Sequence, residues 1–269
     1  MENDLSIKVS GQNVNYSDSR KHTLPIIFIH GFPFNKSSWD PQYEFLKETQ
    51  RVIIYDLPGF GKSAELAGET SISSLADHLI HFMDSLKIEK AIVCGLSMGG
   101  YILLNAMERY GERFEAIVLA DTQCLADNEE AAKKRFDAIK AIQENGLTEF
   151  TEGFLKNAFS KNAQETQTII VERIRTVILS NSSLAITTAL KAMAERKETC
   201  SALEKITVPA LIICGEEDKL TPVSLSKFLF DQIPNSEIHI IPEAGHLSNL
   251  EKSDDFNDRL FNFISDIII

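Results

Sequence analysis

The segment that most constrains this chain is Gly95-Leu96-Ser97-Met98-Gly99-Gly100. It stands between an apolar run, Ala91-Ile92-Val93-Cys94, and a helix-like stretch from Tyr101 to Arg109. A strand that runs through G-x-S-x-G directly into a helix is the context of a nucleophile elbow. The turn is so sharp that the positions flanking the serine must be small, and Gly95 and Gly99 supply that room. Such a turn lifts the Ser97 hydroxyl clear of the sheet. It also leaves the Met98 N–H at a helix N-terminus, where it can receive a developing oxyanion. The bland alternative is a tight strand-to-helix connection that happens to hold a serine. The strand and helix on either side favour the elbow.

A serine nucleophile needs a base, and the base needs a group to orient it. Of six histidines, His246 stands in Pro242-Glu243-Ala244-Gly245-His246, just after the strand-like run Ile238 to Ile241. A loop after a late strand is held by the sheet yet free to reach a cleft. His78 and His81 share a helix face at i, i+3, but no carboxylate or cysteine cluster joins them, so packing or solvation is expected there rather than a metal. His22 and His239 carry no distinguishing context. Two aspartates compete for the orienting role. Asp218 lies in Gly215-Glu216-Glu217-Asp218-Lys219-Leu220-Thr221-Pro222, after the run Ala210 to Ile213; Asp121 ends the run Ala116 to Ala120. Both sit at the carboxyl edge of a parallel sheet, where sites of such folds assemble. Both preserve the chain order Ser, Asp, His. The turn-like G-x-x-D-x-x-T-P loop favours Asp218, and leaves Asp121 as a strand-end or capping residue.

A second oxyanion donor is expected from the loop after the third strand. His30-Gly31-Phe32-Pro33-Phe34 follows Leu24 to Ile29. Gly31 permits a sharp turn, Phe32 offers an N–H across the cleft, and Pro33 stiffens the loop. His30 is expected to brace this loop rather than act as a second base.

The buried strands read as unbroken β-branched runs alternating with helices, which implies a doubly wound, mostly parallel sheet. Residues 4–18 read as a two-stranded start around Gly11. Further strands are expected at Leu24 to Ile29, Arg51 to Asp56, Glu115 to Ala120, Ala210 to Ile213 and Ile238 to Ile241, with helices near Ser37 to Glu48 and Ser73 to Leu86. From Leu125 to Lys205 only helical periods occur, broken at Asn145-Gly146, Lys161-Asn162 and Asn181-Ser182. The expected organisation is a core of 1–124 and 206–269, with residues 125–205 inserted between strands 6 and 7 as a cap of three or four helices. The cap carries Phe136, Phe150, Phe154, Phe159 and Met193, most of which would pack it onto the core. The pocket is expected to be lined by Phe34, Leu96, Phe154 and Leu247.

The elbow, His30-Gly31-Phe32-Pro33 with Trp39, Asp56-Leu57-Pro58-Gly59-Phe60-Gly61-Lys62-Ser63, the Asp218 loop and Gly245-His246 resemble the α/β-hydrolase superfamily. They occur in its order and span nearly the whole chain. The run Gly245-His246-Leu247-Ser248-Asn249-Leu250-Glu251 is similar to esterase and 3-oxoadipate enol-lactonase branches. The resemblance implies an α/β-hydrolase fold and a serine hydrolase of a small carboxylic ester or lactone that needs no cofactor or metal. Ser97, Asp218 and His246 would be catalytic, and the N–H groups of Phe32 and Met98 would form the oxyanion hole. Branches that use aspartate at the elbow, the haloalkane dehalogenases and epoxide hydrolases, are set aside by Ser97. Carbon–carbon bond hydrolases often place a polar residue where this chain has Leu96, and they stay open as an alternative beside the enol-lactonase type. A lyase or a non-catalytic small-ligand receptor on the same fold is the alternative of another class.

Composition narrows the partners. The net charge of −12, from 39 acidic and 27 basic residues, disfavours a nucleic-acid partner. Pro58 to Ser63 ends in G-K-S, but a phosphate loop needs glycine where Asp56 stands. The N-terminal Met1-Glu2-Asn3-Asp4-Leu5 lacks an apolar core, and no apolar stretch approaches the roughly 20 residues of a membrane span. The expectation is therefore no signal peptide, no membrane, and a monomer or homodimer. Cys94, Cys124, Cys200 and Cys214 show neither zinc nor disulfide-scaffold spacing, so reduced thiols in a cytoplasmic protein are expected.

Overall fold

The computed structural model describes residues 4–268. Met1, Glu2 and Asn3, on which part of the leaderless reading rests, and Ile269 lie outside the described residues. Strands β1 (Leu5–Val9) and β2 (Gln12–Asp18) form the antiparallel start around Gly11, which takes φ +88° in the hairpin turn. β3 (Ile26–Ile29), β4 (Val52–Tyr55), β5 (Ala91–Leu96), β6 (Phe114–Ala120), β7 (Ala210–Gly215) and β8 (Ser236–Ile241) complete one sheet of order β1-β2-β4-β3-β5-β6-β7-β8. From β4 through β8 every pairing is parallel, and β2 joins β4 antiparallel. β3, β4, β5 and β7 are buried at every position, as expected of strands covered on both faces. β8, at the edge, is only half-buried.

Helices α1 (Asp40–Leu46), α2 (Ile72–Ser85) and α3 (Met98–Tyr110) cover the first half of the sheet. α2 begins where Ser71 and Ser74 cap each other's backbone N–H groups, and it buries Leu75, Leu79 and Phe82 along one stripe. Between β6 and β7 the described residues form α4 (Glu129–Asn145), α5 (Thr148–Ala158), α6 (Lys161–Thr166), α7 (Thr168–Ser180) and α8 (Ser183–Ala194). That is five helices where three or four were expected. The extra break falls at Gln167, which carries no Gly or Pro signal, and Lys161-Asn162 opens α6 instead of separating helices. Asn128, Ser160 and Ser182 cap α4, α6 and α8 through their side-chain oxygens. α9 (Val223–Gln232), α10 (Ser248–Glu251) and α11 (Ser253–Ile267) close the chain. Among the described residues no single helix is long and apolar enough to cross a membrane.

The cysteine expectation is corrected. Cys124 and Cys200 form a disulfide, with Cα atoms 5.0 Å apart across a sequence separation of 76. Cys124 follows β6 and Cys200 opens a 3-10 turn, Cys200–Lys205, that leads toward β7. β6 and β7 are neighbours, so the two ends of the helical insertion return to one place, and Thr199 N–H bonds the Cys124 carbonyl there. Linear spacing could not show that convergence. Cys94 and Cys214 are buried free thiols. A reducing compartment is therefore not supported by four free cysteines.

Candidate active site

Parallel β5, β6 and β7 end at one edge of the sheet, and their following loops meet there. β5 hands Ser97 to α3 with φ +53° and ψ −113°, a left-handed-side backbone that a serine adopts only when its surroundings impose it. The glycines make this turn sterically feasible: a Cβ on Gly95 would collide with the Gly99 carbonyl, and one on Gly99 with the Ile29 carbonyl. Gly31 packs against the elbow, where a Cβ would come within 3.1 Å of the Leu96 carbonyl and 3.3 Å of Ser97 Cβ. The Phe32 loop thereby lies beside the serine. Met98 is the first residue of α3, so its N–H has no intrahelical acceptor. Phe32 N–H has no backbone acceptor among the described residues.

His30 braces this loop. Its Nδ1–H donates to the Gly31 carbonyl at 2.9 Å and its Nε2 accepts from Leu57 N–H at 3.0 Å. Burial lowers its pKa to about 4, so it is a neutral strut.

The structure brings Ser97, His246 and Asp218 together. Ser97 Oγ lies 2.8 Å from His246 Nε2, and His246 Nδ1 lies 2.8 Å from Asp218 Oδ2. The Asp218 carboxylate is fully committed. Its Oδ1 accepts from Leu220 N–H (2.8 Å) and Thr221 N–H (2.9 Å), and its Oδ2 also accepts from the Thr221 hydroxyl (2.7 Å). Burial opposes charge on both partners of the histidine–aspartate pair, but their mutual attraction and hydrogen bond outweigh it. The His246 pKa is held above its ordinary 6.5 and the Asp218 pKa below its ordinary value.

Asp121 occupies a different position from Asp218. It is fully buried at φ +44°, accepts from Gly215 N–H at 2.8 Å, and contacts the Ser248 hydroxyl at 2.6 Å. It thus ties the root of the Asp218 loop to the segment just after His246. Burial, reinforced by the nearby Asp218 charge, pushes its pKa well above the carboxylate range. Sequence reading left it as a strand-end residue, and nothing in linear spacing connects residues 121, 215 and 248. Glu251 was likewise missed. Its carboxylate accepts from Gly245 N–H and from Ser160 N–H, both at 3.1 Å, and the His246 N–H bonds the Ala158 carbonyl at 2.8 Å. The histidine loop is therefore docked on the α5–α6 connection.

A cavity of about 740 Å³ opens on Ser97 and His246. Phe32, Phe150 and Phe154 line it, and Phe154 meets the Phe32 ring edge-on at 6.2 Å. Of the expected pocket residues, Phe154 reaches the cavity. Phe34, Leu96 and Leu247 do not: all three are fully buried, with Phe34 packed behind Phe154 at 5.8 Å between ring centroids. Leu96 belongs to the two-sided interior of β5, and Leu247 turns inward before α10, so the core claims their side chains. Phe136 is exposed and Phe159 lies in the core. Residues that sequence reading did not single out, Tyr101, Gln123, Arg135 and Leu220, line the cavity as well.

This arrangement defines a protein of the mostly parallel, doubly wound class with a serine at a strand-to-helix elbow and a histidine and an aspartate converging on it. The chain belongs to the α/β hydrolase fold family, whose profile matches residues 25–253. A 3-oxoadipate enol-lactonase of Acinetobacter baylyi is 29% identical over 245 residues, covering 91% of this chain and 90% of that protein. Among solved structures, a thermophilic esterase from Thermogutta terrifontis superimposes with a TM-score of 0.94 at 26% identity, covering 99% of both chains. The enol-lactonase from Burkholderia xenovorans gives 0.90 at 25% identity over 97% of this chain and 100% of that one. The similarities support a hydrolase of lactone or ester type.

Proposed function

We propose that this protein is a serine hydrolase that cleaves a small carboxylic ester or lactone through an acyl-enzyme. The observation that carries the reading is the relay of two 2.8 Å contacts from Ser97 Oγ to His246 and from His246 to Asp218, at the floor of a cavity. Ser97 Oγ attacks the carbonyl carbon while His246 Nε2 takes its proton. Asp218 holds the proton on Nδ1 and stabilises the imidazolium that forms. The Phe32 and Met98 N–H groups receive the oxyanion, and preorganised donors of this kind act with no reorganisation at the moment of reaction. His246 then protonates the leaving alkoxide, or the ring oxygen of a lactone, and activates the water that releases the acid. The helices between β6 and β7 form a cap that gives the cavity its apolar wall and excludes bulk water.

The test is covalent labelling of Ser97 by a fluorophosphonate, run beside a panel of acyl esters and lactones on the wild type and Ser97→Ala. Labelling together with serine-dependent hydrolysis is expected. Labelling with no hydrolysis of any ester or lactone would assign the site to a lyase or another reaction of the fold. Absence of both would leave a small-ligand receptor.

A further inference from the structure

One buried carboxylate holds the histidine loop against the cap. Glu251, on α10, is 5% exposed. Lys252, the next cation along the chain, pairs with Glu243 instead, and among the described residues no Lys or Arg pairs with Glu251. Each of its oxygens accepts one backbone N–H at 3.1 Å. Oε1 accepts from Gly245, the residue before His246, and Oε2 accepts from Ser160, which caps α6. An ionised carboxylate is satisfied by this pattern, whereas a protonated one would bring an O–H that needs an acceptor of its own. Burial raises the Glu251 pKa, and the N–H donors oppose that rise.

The seam between loop and cap has no slack. A Cβ on Gly245 would lie 2.6 Å from the Ser160 nitrogen and 2.7 Å from the Ala158 carbonyl oxygen. On the far side of the loop, a Cβ on Gly215 would collide with the Gly245 carbonyl. The His246 N–H closes the seam on the Ala158 carbonyl at 2.8 Å. Ala158 ends α5, one turn beyond Phe154 in the cavity wall. The helix that lines the cavity therefore also carries the loop of the base.

We propose that Glu251 is a positioning residue: it clamps Gly245 to the cap at Ser160 and so keeps His246 Nε2 in reach of Ser97 Oγ. The inference rests on the hydrolase reading above and concerns the base of that same site. An amide cannot take over this role. Both partners are N–H donors, one on each oxygen, so Glu251→Gln satisfies one of them and sets its NH₂ against the other. Asp121 differs, because one of its partners is the Ser248 hydroxyl, which can accept an N–H. The clamp also has an electrostatic side. Burial disfavours the His246 imidazolium, the adjacent Asp218 favours it, and Asp121 and Glu251 are the other carboxylates that act on it.

The test is the rate at which a fluorophosphonate labels Ser97 across pH, with kcat and KM on an aryl ester, taken well below the melting temperature of each variant. Glu251→Gln is expected to slow labelling and lower kcat about 10–100-fold, the scale of a small misplacement of a reacting group, with KM nearly unchanged. Its pH limb should move down, because a negative charge near the imidazolium is gone. Gln167→Ala removes a different contact of α10 with the cap, the Gln167 Nε2–H bond to the Glu251 carbonyl at 3.1 Å, and should lower Tm without slowing labelling. Glu251→Asp keeps the charge but draws it back by one methylene; it should slow labelling too, and it stands in if Glu251→Gln does not fold. Labelling at the wild-type rate, or a limb that does not move, in folded Glu251→Gln overturns the proposal. So does labelling at the wild-type rate in Glu251→Asp, or equally slow labelling in Gln167→Ala. Failure of the hydrolase reading is separable: the wild type would then label at Ser97 yet cleave no ester, and the labelling rates would still report on Glu251. A wild type that neither labels nor cleaves has no working base and overturns both.

Discussion

Replacing Asp218 by Asn changes one atom, and the surrounding hydrogen bonds determine what that does. Oδ1 accepts two backbone N–H groups, whereas Oδ2 accepts the Thr221 hydroxyl and His246 Nδ1–H. An asparagine that keeps its carbonyl on the two backbone donors must turn its NH₂ toward His246. Nδ1 then becomes an acceptor and the ring proton moves to Nε2, which faces Ser97 Oγ at 2.8 Å. A protonated Nε2 cannot accept the serine proton. The flipped amide would restore the acceptor toward His246 but set its NH₂ against Leu220 and Thr221 N–H, leaving two buried donors unpaired at about 1–3 kcal/mol each. The wrong tautomer is therefore the favoured outcome, and such a change costs on the order of 10⁴ in rate, or about 5–6 kcal/mol. Asp121→Asn should behave differently. Its carbonyl can accept Gly215 N–H and its NH₂ can donate to the Ser248 hydroxyl, so a loss under about 10-fold is expected, no more than one neutral hydrogen bond is worth. Steady-state kcat/KM on an aryl ester, with melting curves for both variants, decides the matter. A loss below about 10-fold in Asp218→Asn, or the reverse ranking of the two variants, would refute the reasoning and move the orienting acid to the end of β6.

Ser97→Ala should remove ester turnover by on the order of 10⁵-fold, and adding His246→Ala should cost little more, because members of such a unit are not additive; a double variant far slower than Ser97→Ala in single-turnover assays would show that the two act independently. His246 must be neutral to accept a proton and its pKa is raised, so kcat/KM should climb with pH through an ionisation above 6.5; in Asp218→Asn the limb should move to lower pH, since burial is no longer offset by the anion. The Cys124–Cys200 bond closes a loop of 76 residues' separation and should contribute about 4.5 kcal/mol by the chain-entropy relation. A reductant should then lower Tm by on the order of 10 °C in scanning fluorimetry, and a Cys124→Ser, Cys200→Ser variant should not respond to it. Phe154→Ala should widen the cavity and shift preference toward longer acyl chains, by about 1–3 kcal/mol per methylene accommodated; the relative kcat/KM across an acyl series measures it, and Phe136→Ala, outside the cavity, should leave the series unchanged.

Local order in the chain was enough for the parts of this protein that depend on neighbours in sequence. The β-branched runs at Ile26, Val52, Ala91 and Ala210 can satisfy their backbones and bury both faces only in a covered parallel sheet. Gly95 and Gly99 around Ser97 announce a turn whose sterics admit little else. The Asp218 loop is equally local, since Leu220 and Thr221 supply its hydrogen bonds from two and three residues away. What the tertiary structure decided involves residues brought together across long separations. Asp121 meets Gly215 and Ser248, Glu251 meets Ser160, and Cys124 meets Cys200, contacts that arise only because the ends of β6, β7 and β8 share an edge. The pocket wall has the same origin. A leucine or phenylalanine reads alike whether it faces a cavity or the core, and packing sent Phe34, Leu96 and Leu247 inward while leaving Phe150 and Phe154 at the site. The same holds for Asp127, which gathers Arg135 and Arg196 from separate parts of the insertion.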